Sequence, residues 1–229
     1  RATSINRRLS ALRSFYRFAL ARNLVKSDPV QGVVGPKKDK PLPQFLKEKE
    51  MDELLQEDFW TDCYEDVRDR MIIMTFYETG IRLAELMNLC DGDVDFMSGQ
   101  LKVTGKRNKQ RLIPFGAELS QALQHYMGVR DAQVVRHSAA LFLANDGQQM
   151  TADAIRYRVK KHLSLVSTLK KRTPHVLRHT FATAMLNHKA GIESVKKLLG
   201  HESLSTTEIY THTTFEQLKR EYLNAHPRA

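Results

Sequence analysis

The segment 35–43, Gly-Pro-Lys-Lys-Asp-Lys-Pro-Leu-Pro, limits most strongly what this chain of 229 residues can fold into. Each proline fixes φ at about −65° and lacks an N–H, so the segment cannot continue a helix or lie within a central strand. Its proline and charge content is typical of an extended linker. The sequence therefore predicts a unit over residues 1–35, a linker over 36–46 and a main domain over 47–229.

Apolar residues recur at helical spacing in the first unit while arginines lie off that stripe, which predicts an amphipathic helix. The apolar positions are Ile5, Leu9, Leu12, Tyr16 and Ala19. Because one helix cannot bury its own stripe, we expect residues 1–35 to be the last part of a larger helical unit. The first residue is not a methionine and the pattern begins at once, so we also expect a fragment of a longer protein.

The main domain is predicted to begin with helices. Residues 67–78 are apolar enough to form a buried helix, and Thr79-Gly80 then breaks the pattern. Residues 81–89 resume it, with Arg82 and Glu85 predicted on the side opposite the apolar residues. We interpret Glu85 as a structural residue that orients Arg82.

A β-hairpin is predicted further along the chain. Short runs at 101–104 and 111–114 read as strands, and the basic turn 105–109 between them carries Lys106. The expected fold class is therefore α+β: mainly α-helical, with one small antiparallel β-hairpin or sheet.

The C-terminal third shows clear helix boundaries. Thr173 is a predicted N-cap with Pro174 at the first helical position, and Gly191 is predicted to follow the end of that helix. A second helix over 192–199 is predicted to stop at Gly200.

Two capping boxes follow. Ser205 with Glu208 predicts the start of a short helix that carries Tyr210, and Thr214 with Gln217 predicts the start of a C-terminal tail helix.

Charge is strongly segregated along the chain. Residues 51–100 hold 13 acidic against 3 basic residues, whereas residues 101–200 hold 18 basic against 5 acidic. A chain with this pattern presents a basic face to a polyanion, most often a nucleic acid. The charge therefore points to DNA or RNA, with a merely solvated surface as the alternative.

The remaining composition excludes several classes. No apolar run approaches the roughly 18 residues of a membrane span, and no signal peptide is visible, so we expect a cytoplasmic protein without a membrane partner. Cys63 and Cys90 lack histidine or cysteine at metal-ligand spacing and are expected to be reduced thiols. We expect neither a metal nor another cofactor.

Cleavage of a phosphodiester without a metal needs an in-line nucleophile, cations around the non-bridging oxygens and an acid for the leaving oxygen. Arginine offers a planar, permanently charged fork, lysine and histidine can deliver a proton, and neighbouring cations help a tyrosine reach the phenolate form. The chain contains each residue type in a helical and basic context. The stretch from His175 to Tyr210 brings a tyrosine together with arginine and histidine side chains, the combination that this chemistry needs.

These residues and their neighbours resemble the tyrosine recombinase (phage integrase) family. The resemblance lies in Thr-Gly-Ile-Arg82-Leu-Ala-Glu, in Gly-Lys106 and in His175-Val-Leu-Arg178-His, followed by Leu-Gly-His201 and by Tyr210-Thr-His. Order and spacing agree at all six positions. The final residues, Tyr-Leu-Asn-Ala-His-Pro-Arg-Ala, further resemble the Xer branch, whose members resolve chromosome or plasmid dimers.

The resemblance implies a site-specific DNA recombinase that needs neither metal nor ATP. Tyr210 would attack the scissile phosphate to give a 3′-phosphotyrosyl link, while Arg82, Arg178 and His201 hold the transition-state charge. Lys106 would be the acid for the leaving oxygen, and His175 would assist Tyr210 by handling its proton.

The resemblance also implies a catalytic domain preceded by the end of a helical core-binding domain. The expected partner is double-stranded DNA. Four protomers are expected to form a tetramer on two recombination sites and to exchange their C-terminal tails. A second recombinase or an accessory regulator is a further expected partner. Basic side chains proposed to contact DNA are Arg8, Arg13, Arg107, Lys109, Lys171 and Arg172.

Three alternatives stay open from the residues alone. A type IB topoisomerase uses a similar residue set but religates the same strand. A DNA-binding regulator with an inactive catalytic fold would also be basic, and a metal-dependent nuclease would need clustered carboxylates. Taken singly, each candidate could instead be structural: Tyr210 a packed tyrosine, Arg82 a partner of Glu85, or Lys106 a solvated charge.

Overall fold

The computed structural model describes residues 2–37, 44–105, 108–200 and 212–229. Short 3₁₀ turns lie at Glu57–Phe59 and Asp91–Asp93, and the described residues also contain nine α-helices and three strands. The predicted fold class, mainly α with a small antiparallel sheet, is confirmed. The elements in chain order are α1 (Ala2–Ala21), α2 (Glu48–Leu55), α3 (Tyr64–Thr79), α4 (Leu83–Met87), β1 (Val94–Asp95), β2 (Gln100–Thr104), β3 (Gln110–Pro114), α5 (Ala117–Gln133), α6 (Ala152–Val166), α7 (Pro174–Asn187), α8 (Ile192–Leu199) and α9 (His212–Ala225).

The chain divides into two compact units, Arg1–Pro43 and Gln44–Ala229. In the first, α1 is one long helix that buries Leu9 and Ala19. Ile5 and Leu12 belong to the predicted apolar stripe, but both are about half exposed. A lone helix cannot bury its apolar side, and this unit accordingly leaves part of its stripe in contact with solvent. The assignment of 36–46 as a linker stays a prediction.

Helix α3 forms the centre of the second unit. It is buried along nearly its whole length, and it packs against both α5 and α7. Gly80 ends the helix in a left-handed conformation (φ 58°), and its N–H donates to the Phe76 carbonyl. A Cβ at this position would lie 2.4 Å from Cδ1 of Phe181, so residue 80 must be glycine for two reasons.

The predicted hairpin forms between β2 and β3, with Leu101 opposite Ile113 and Thr104 opposite Gln110. A third strand, β1, pairs with β2 and was not predicted from the sequence. It is two residues long, too short for an alternation of apolar and polar residues to be visible. Among the described residues the sheet order is β1-β2-β3.

Helix α7 begins as predicted but ends earlier. Thr173 occupies the N-cap position with Pro174 next, although the Thr173 side chain makes no capping hydrogen bond. The predicted end at Gly191 is wrong, because the chain reverses at Lys189 (φ 67°). The N–H of Ala190 reaches back to the Met185 carbonyl, a Schellman-type end that normally favours glycine. Gly191 instead occupies the N-cap position of α8.

Helix α8 ends at Leu199, and Gly200 caps it in the left-handed conformation (φ 64°), as predicted. The tail helix α9 begins by His212, so the prediction of Thr214 as its N-cap is wrong: residue 214 lies within the helix. The predicted capping box of Ser205 and Glu208 lies outside the described residues.

The tail helix packs into the second unit through buried aromatic rings. Tyr222 is fully buried, and the ring of His226 stacks on it with 5.2 Å between centroids. The imidazole Nε2 of His226 lies 3.3 Å from the carbonyl oxygen of Tyr77 in α3. Burial lowers the pKa of His226 to about 4, so its neutral form is the one that packs here.

Glu78 is a buried carboxyl beside this tail contact. Neither of its oxygens makes a well-formed hydrogen bond among the described residues. Burial, followed by the negative charge of Glu118, raises the pKa of Glu78 well above its ordinary value, against the opposing charge of Arg228 and the nearby Tyr222 hydroxyl. The folded protein therefore favours the protonated form of this side chain.

Replacing Glu78 with glutamine should stabilise the protein progressively as the pH rises. The unfolded chain releases the Glu78 proton near its ordinary pKa, whereas the folded chain holds it, so wild-type stability falls above that pH. The slope contributed by one such group is at most about 1.4 kcal/mol per pH unit. Urea unfolding of wild type and Glu78→Gln from pH 4.5 to 8.5 measures the difference; a difference independent of pH would contradict the assignment.

Among the described residues, no helix combines the length and apolar character that a membrane crossing requires.

Candidate active site

Three of the six predicted catalytic residues lie in the described part of the chain: Arg82, His175 and Arg178. Lys106, His201 and Tyr210 lie outside the described residues, as does Arg107, one of the predicted DNA contacts. The geometry of the site is therefore built from the arginines and the groups that hold them.

Arg82 occupies the N-cap position of α4, two residues after the break at Gly80. Its Nη1 donates to Oε1 of Glu85 at 2.8 Å, and its backbone N–H donates to Oε2 at 2.8 Å. Its Nη2 donates to the Gly200 carbonyl at 2.7 Å. The side chain remains 39% exposed, so it is fixed in place yet accessible from solvent.

Arg178 lies in the first part of α7 and is 6% exposed. Its guanidinium donates to two carbonyl oxygens, those of Gly80 and Leu199. Both carbonyls lie at helix C-termini, where carbonyls lack partners within the helix and the dipole favours a cation. Burial, with the charges of Arg82 and Arg111, lowers the pKa of Arg178 to about 10, so it stays charged at neutral pH.

Glu85 joins two cations. The sequence predicted it on an exposed side of its helix, which is wrong: Glu85 is buried. The predicted contact with Arg82 is present, and Arg111 donates to both of its carboxylate oxygens, at 2.7 and 3.0 Å. Burial would raise the pKa of Glu85, but hydrogen bonds and charge from Arg111 and Arg82 outweigh it and lower the pKa to about 2.

Sequence reasoning missed Arg111. It is the second residue of β3, and its side chain is buried. Besides Glu85, its Nε donates to the Leu198 carbonyl at 2.9 Å. A basic residue in a strand next to a basic turn reads as a solvent-facing position, so the sequence contained no signal for the burial of Arg111.

The end of α8 brings the three arginines together. The carbonyls of residues 198, 199 and 200 accept hydrogen bonds from Arg111, Arg178 and Arg82 in turn. These arginines come from β3, α7 and the start of α4, which are distant in sequence. One short turn of backbone, immediately before residue 201, is thus held by three guanidinium groups.

His175 lies one turn before Arg178 on α7 but is exposed. Its ring contacts that of His179 edge-on, with 4.7 Å between centroids. Partial burial, then the charges of His179 and Arg178, lowers the pKa of His175 below its ordinary value. Its neutral form, which can accept a proton, therefore dominates at pH 7.

The remaining predicted DNA contacts differ in their surroundings. Arg8, Lys109 and Lys171 are exposed. Nη2 of Arg13 donates to the Val33 carbonyl at 2.6 Å within the first unit. Nη2 of Arg172 donates to the Ser167 carbonyl at 3.0 Å, which holds this side chain near its own loop.

Within the described ranges, no group of three or more His, Cys, Asp or Glu side chains could hold a metal ion. Cys63 and Cys90 are both free.

A family model described as the phage integrase family matches residues 44–217. The chain therefore belongs to the phage integrase family.

Two similar sequences are tyrosine recombinases named XerC. The one from Pelotomaculum thermopropionicum is 42% identical over 229 residues, covering 97% of this chain and 74% of that protein. The one from Staphylococcus saprophyticus is 40% identical over 227 residues, covering 99% of this chain and 76% of that protein. The predicted enzyme class is confirmed: the chain is a site-specific recombinase of the tyrosine type.

Solved structures agree with this fold. The crystal structure of XerA recombinase aligns with a TM-score of 0.63 at 29% identity, covering 98% of this chain and 77% of that one. The Tn1549 transposon integrase in complex with circular intermediate DNA aligns with a TM-score of 0.71 at 21% identity, covering 94% of this chain and 78% of that one. At that identity the second likeness supports the fold alone.

Proposed function

We propose that this recombinase cuts and rejoins double-stranded DNA through a covalent bond between Tyr210 and a 3′-phosphate. The observation that carries the proposal is the cluster formed by Arg82 and Arg178 at the end of α8, directly before residue 201. The fixed positive charges of this cluster contact the backbone directly before His201 in the chain, and Tyr210 is nine residues after His201.

The charges of the cluster favour an anion. Three guanidinium groups, those of Arg82, Arg111 and Arg178, surround one carboxylate, Glu85. Their mutual repulsion contributes to the lowered pKa of Arg178, and an added anion would relieve it. A phosphate group matches the planar donor pattern of arginine, and Arg82 is the member of the cluster most accessible to it.

The proposed cleavage balances without an external energy source. The Tyr210 phenol loses its proton and its oxygen bonds to phosphorus, while the bond from phosphorus to the leaving 5′-oxygen breaks. Lys106 gives that oxygen a proton, and neutral His175 handles the proton of the phenol. Arg82, Arg178 and His201 hold the charge on the non-bridging oxygens. Because the phosphodiester bond energy stays in the phosphotyrosyl link, attack by a 5′-hydroxyl reverses the step without ATP.

DNA is the partner that best explains the charge pattern, and related enzymes have been solved bound to it. We assign the first contacts with its phosphates to basic side chains of both units. The proposed contacts are Arg8, Arg13, Arg107, Lys109, Lys171 and Arg172.

The proposed organisation follows the domain boundaries expected from the sequence. Residues 1–35 would form the end of a core-binding domain, 36–46 a linker and 47–229 the catalytic domain. Four protomers would assemble on two sites and exchange tails, with a second recombinase or an accessory regulator in the complex. Resolution of chromosome or plasmid dimers is the proposed role, supported by the XerC relatives, and integration of a mobile element is the alternative.

A nicked duplex that traps the covalent complex tests the chemistry. When cleavage releases a short strand that diffuses away, the protein should remain attached to DNA after denaturation, with or without EDTA. Digestion and mass spectrometry should place the nucleotide on the peptide containing Tyr210. No adduct on duplexes that the protein binds would overturn the proposal, and loss of cleavage in EDTA would favour a metal-dependent nuclease.

Plasmid relaxation separates the proposal from the topoisomerase alternative. A topoisomerase of type IB relaxes any supercoiled plasmid, whereas the proposed recombinase should act on plasmids that carry its site. Relaxation at equal rates with and without such a site would favour the topoisomerase.

A further inference from the structure

We propose that Arg111 is a positioning residue for the cleavage step: it holds Glu85 and the end of α8 in the arrangement that aims Arg82 and the chain leading to residue 201. This inference rests on the proposed function. It assigns to Arg111 a role in catalysis through other residues, without contact with DNA.

The contacts of Arg111 join three separate parts of the fold. From β3, its Nη1 and Nη2 donate to the two oxygens of Glu85 in α4, at 2.7 and 3.0 Å. Its Nε donates to the Leu198 carbonyl at the end of α8, at 2.9 Å. All three guanidinium nitrogens thus have a partner, in a planar arrangement that an ammonium group cannot reproduce.

The backbone at Gly200 packs directly on the Arg111 guanidinium. A Cβ at residue 200 would lie 3.2 Å from its Cζ, and φ there is 64°. Glycine at this position therefore allows both the left-handed turn and the close approach. The plane of Arg111 supports the turn whose last carbonyl accepts a hydrogen bond from Arg82.

The contacts of Arg111 give it an indirect role. Its side chain is 8% exposed, whereas that of Arg82 is 39% exposed. The nitrogens of the Arg111 guanidinium are directed at the two oxygens of Glu85 and at the Leu198 carbonyl. Because these hydrogen bonds go to protein groups that position Arg82 and the end of α8, the influence of Arg111 passes through Glu85 and the residue 198–200 backbone.

The expected effect is slower cleavage with unchanged affinity for DNA. Misplacement of a catalytic group by about 1 Å can reduce a rate by up to roughly 100-fold. We expect a reduction of about 10- to 100-fold in the rate of adduct formation for Arg111→Gln, and a reduction for Arg111→Lys as well. Lysine keeps the charge but cannot bond Glu85 and the Leu198 carbonyl in one plane.

The pH profile provides a readout that a loss of stability alone would not change. Glu85 faces the cations Arg82, Arg111 and Arg178, and Arg111 is the largest influence that keeps its pKa low. Without Arg111, burial raises the pKa of Glu85, and a protonated Glu85 no longer orients Arg82. The ratio of wild-type to Arg111→Gln rates should therefore grow as the pH falls from 8 to 5.

Arg130 offers a matched control. It is fully buried, pairs with Asp91 and donates to the Leu141 carbonyl, so it resembles Arg111 in type of contact. None of its partners contacts the arginine cluster in the described residues. Arg130→Lys should lower the melting temperature while leaving the adduct rate per folded molecule and its pH profile unchanged.

The experiment measures single-turnover adduct formation on the nicked duplex for wild type, Arg111→Gln, Arg111→Lys and Arg130→Lys, at temperatures where circular dichroism shows each protein folded. The inference is supported if wild type forms the adduct and the Arg111 variants form it more slowly, with the expected dependence on pH. Wild-type rates and pH profiles in the folded Arg111 variants overturn it while leaving the proposed function intact. No adduct with wild type would overturn the proposed function instead.

A double-mutant cycle covers the case in which Arg111→Gln does not fold. The rate of Arg111→Lys is then compared in the wild-type and Glu85→Gln backgrounds. If Arg111 acts through Glu85, the second substitution should add little to the first. If the two substitutions reduce the rate by factors that simply multiply in the double variant, the inference is overturned.

Discussion

Replacing Tyr210 with phenylalanine will abolish the covalent adduct with DNA and leave DNA binding intact. Phenylalanine keeps the ring and loses the oxygen, so the attacking atom disappears with little change in packing. Trapping on the nicked duplex, read on a denaturing gel, should show no adduct at any time. A parallel binding titration should give the wild-type dissociation constant.

Tyr157→Phe is the matched control for this substitution. Tyr157 lies on α6 and is 64% exposed, so it loses the same atom from a solvent-facing position. Its variant should form the adduct at the wild-type rate. An adduct that persists in Tyr210→Phe would assign the attack to another residue, and peptide mapping would then identify it.

Replacing Arg178 with alanine will slow cleavage by about 10²–10³-fold, equivalent to about 3–4 kcal/mol of transition-state stabilisation. The structure adds a second effect, because the carbonyls of Gly80 and Leu199 lose their donor. A buried polar group without a partner destabilises a fold by roughly 1–3 kcal/mol. The variant should therefore be less stable as well as slower.

The two effects can be separated by comparing single-turnover rates where the variant is fully folded. Arg178→Lys should restore part of the charge but little of the paired hydrogen bonding, and hence recover part of the rate. Wild-type cleavage by folded Arg178→Ala would remove Arg178 from the proposed site. An effect on affinity for DNA without an effect on rate would make it a binding residue.

Much of the fold was predictable because its boundaries depend on local backbone chemistry. Gly80 and Gly200 adopt the left-handed conformation that glycine tolerates best, and Pro174 lies at the first position of a helix, where a missing N–H costs nothing. These constraints can be read from neighbouring residues. The α3 helix was equally clear, because six of the seven residues from 71 to 77 are apolar.

The errors occurred where tertiary contacts override local preference. Lys189 adopts a left-handed conformation that its residue type disfavours. The sequence therefore placed the helix end at Gly191, the nearest glycine. The charge of Glu85 suggested an exposed position, yet it is buried between cations contributed by different elements. Ion pairs of this kind leave no periodic signal in a sequence.

The site itself was only partly predictable for the same reason. Local motifs single out Arg82 and Arg178, but they cannot show that the carbonyls of residues 198–200 gather both arginines together with Arg111. Roles for Lys106, His201 and Tyr210 stay predictions based on sequence, since these residues lie outside the described ranges.

The pair formed by Glu85 and Arg111 has a consequence for how this enzyme can change over generations. Replacing Glu85 leaves the buried charge of Arg111 uncompensated, at a cost of roughly 3–5 kcal/mol, whereas replacing Arg111 leaves Glu85 paired with Arg82 alone. Exchanging both for a well-packed apolar pair can be neutral for stability, but it removes the carboxylate that orients Arg82. Laboratory selection for new recombination targets should therefore keep both residues, and libraries that randomise either position should yield few active members.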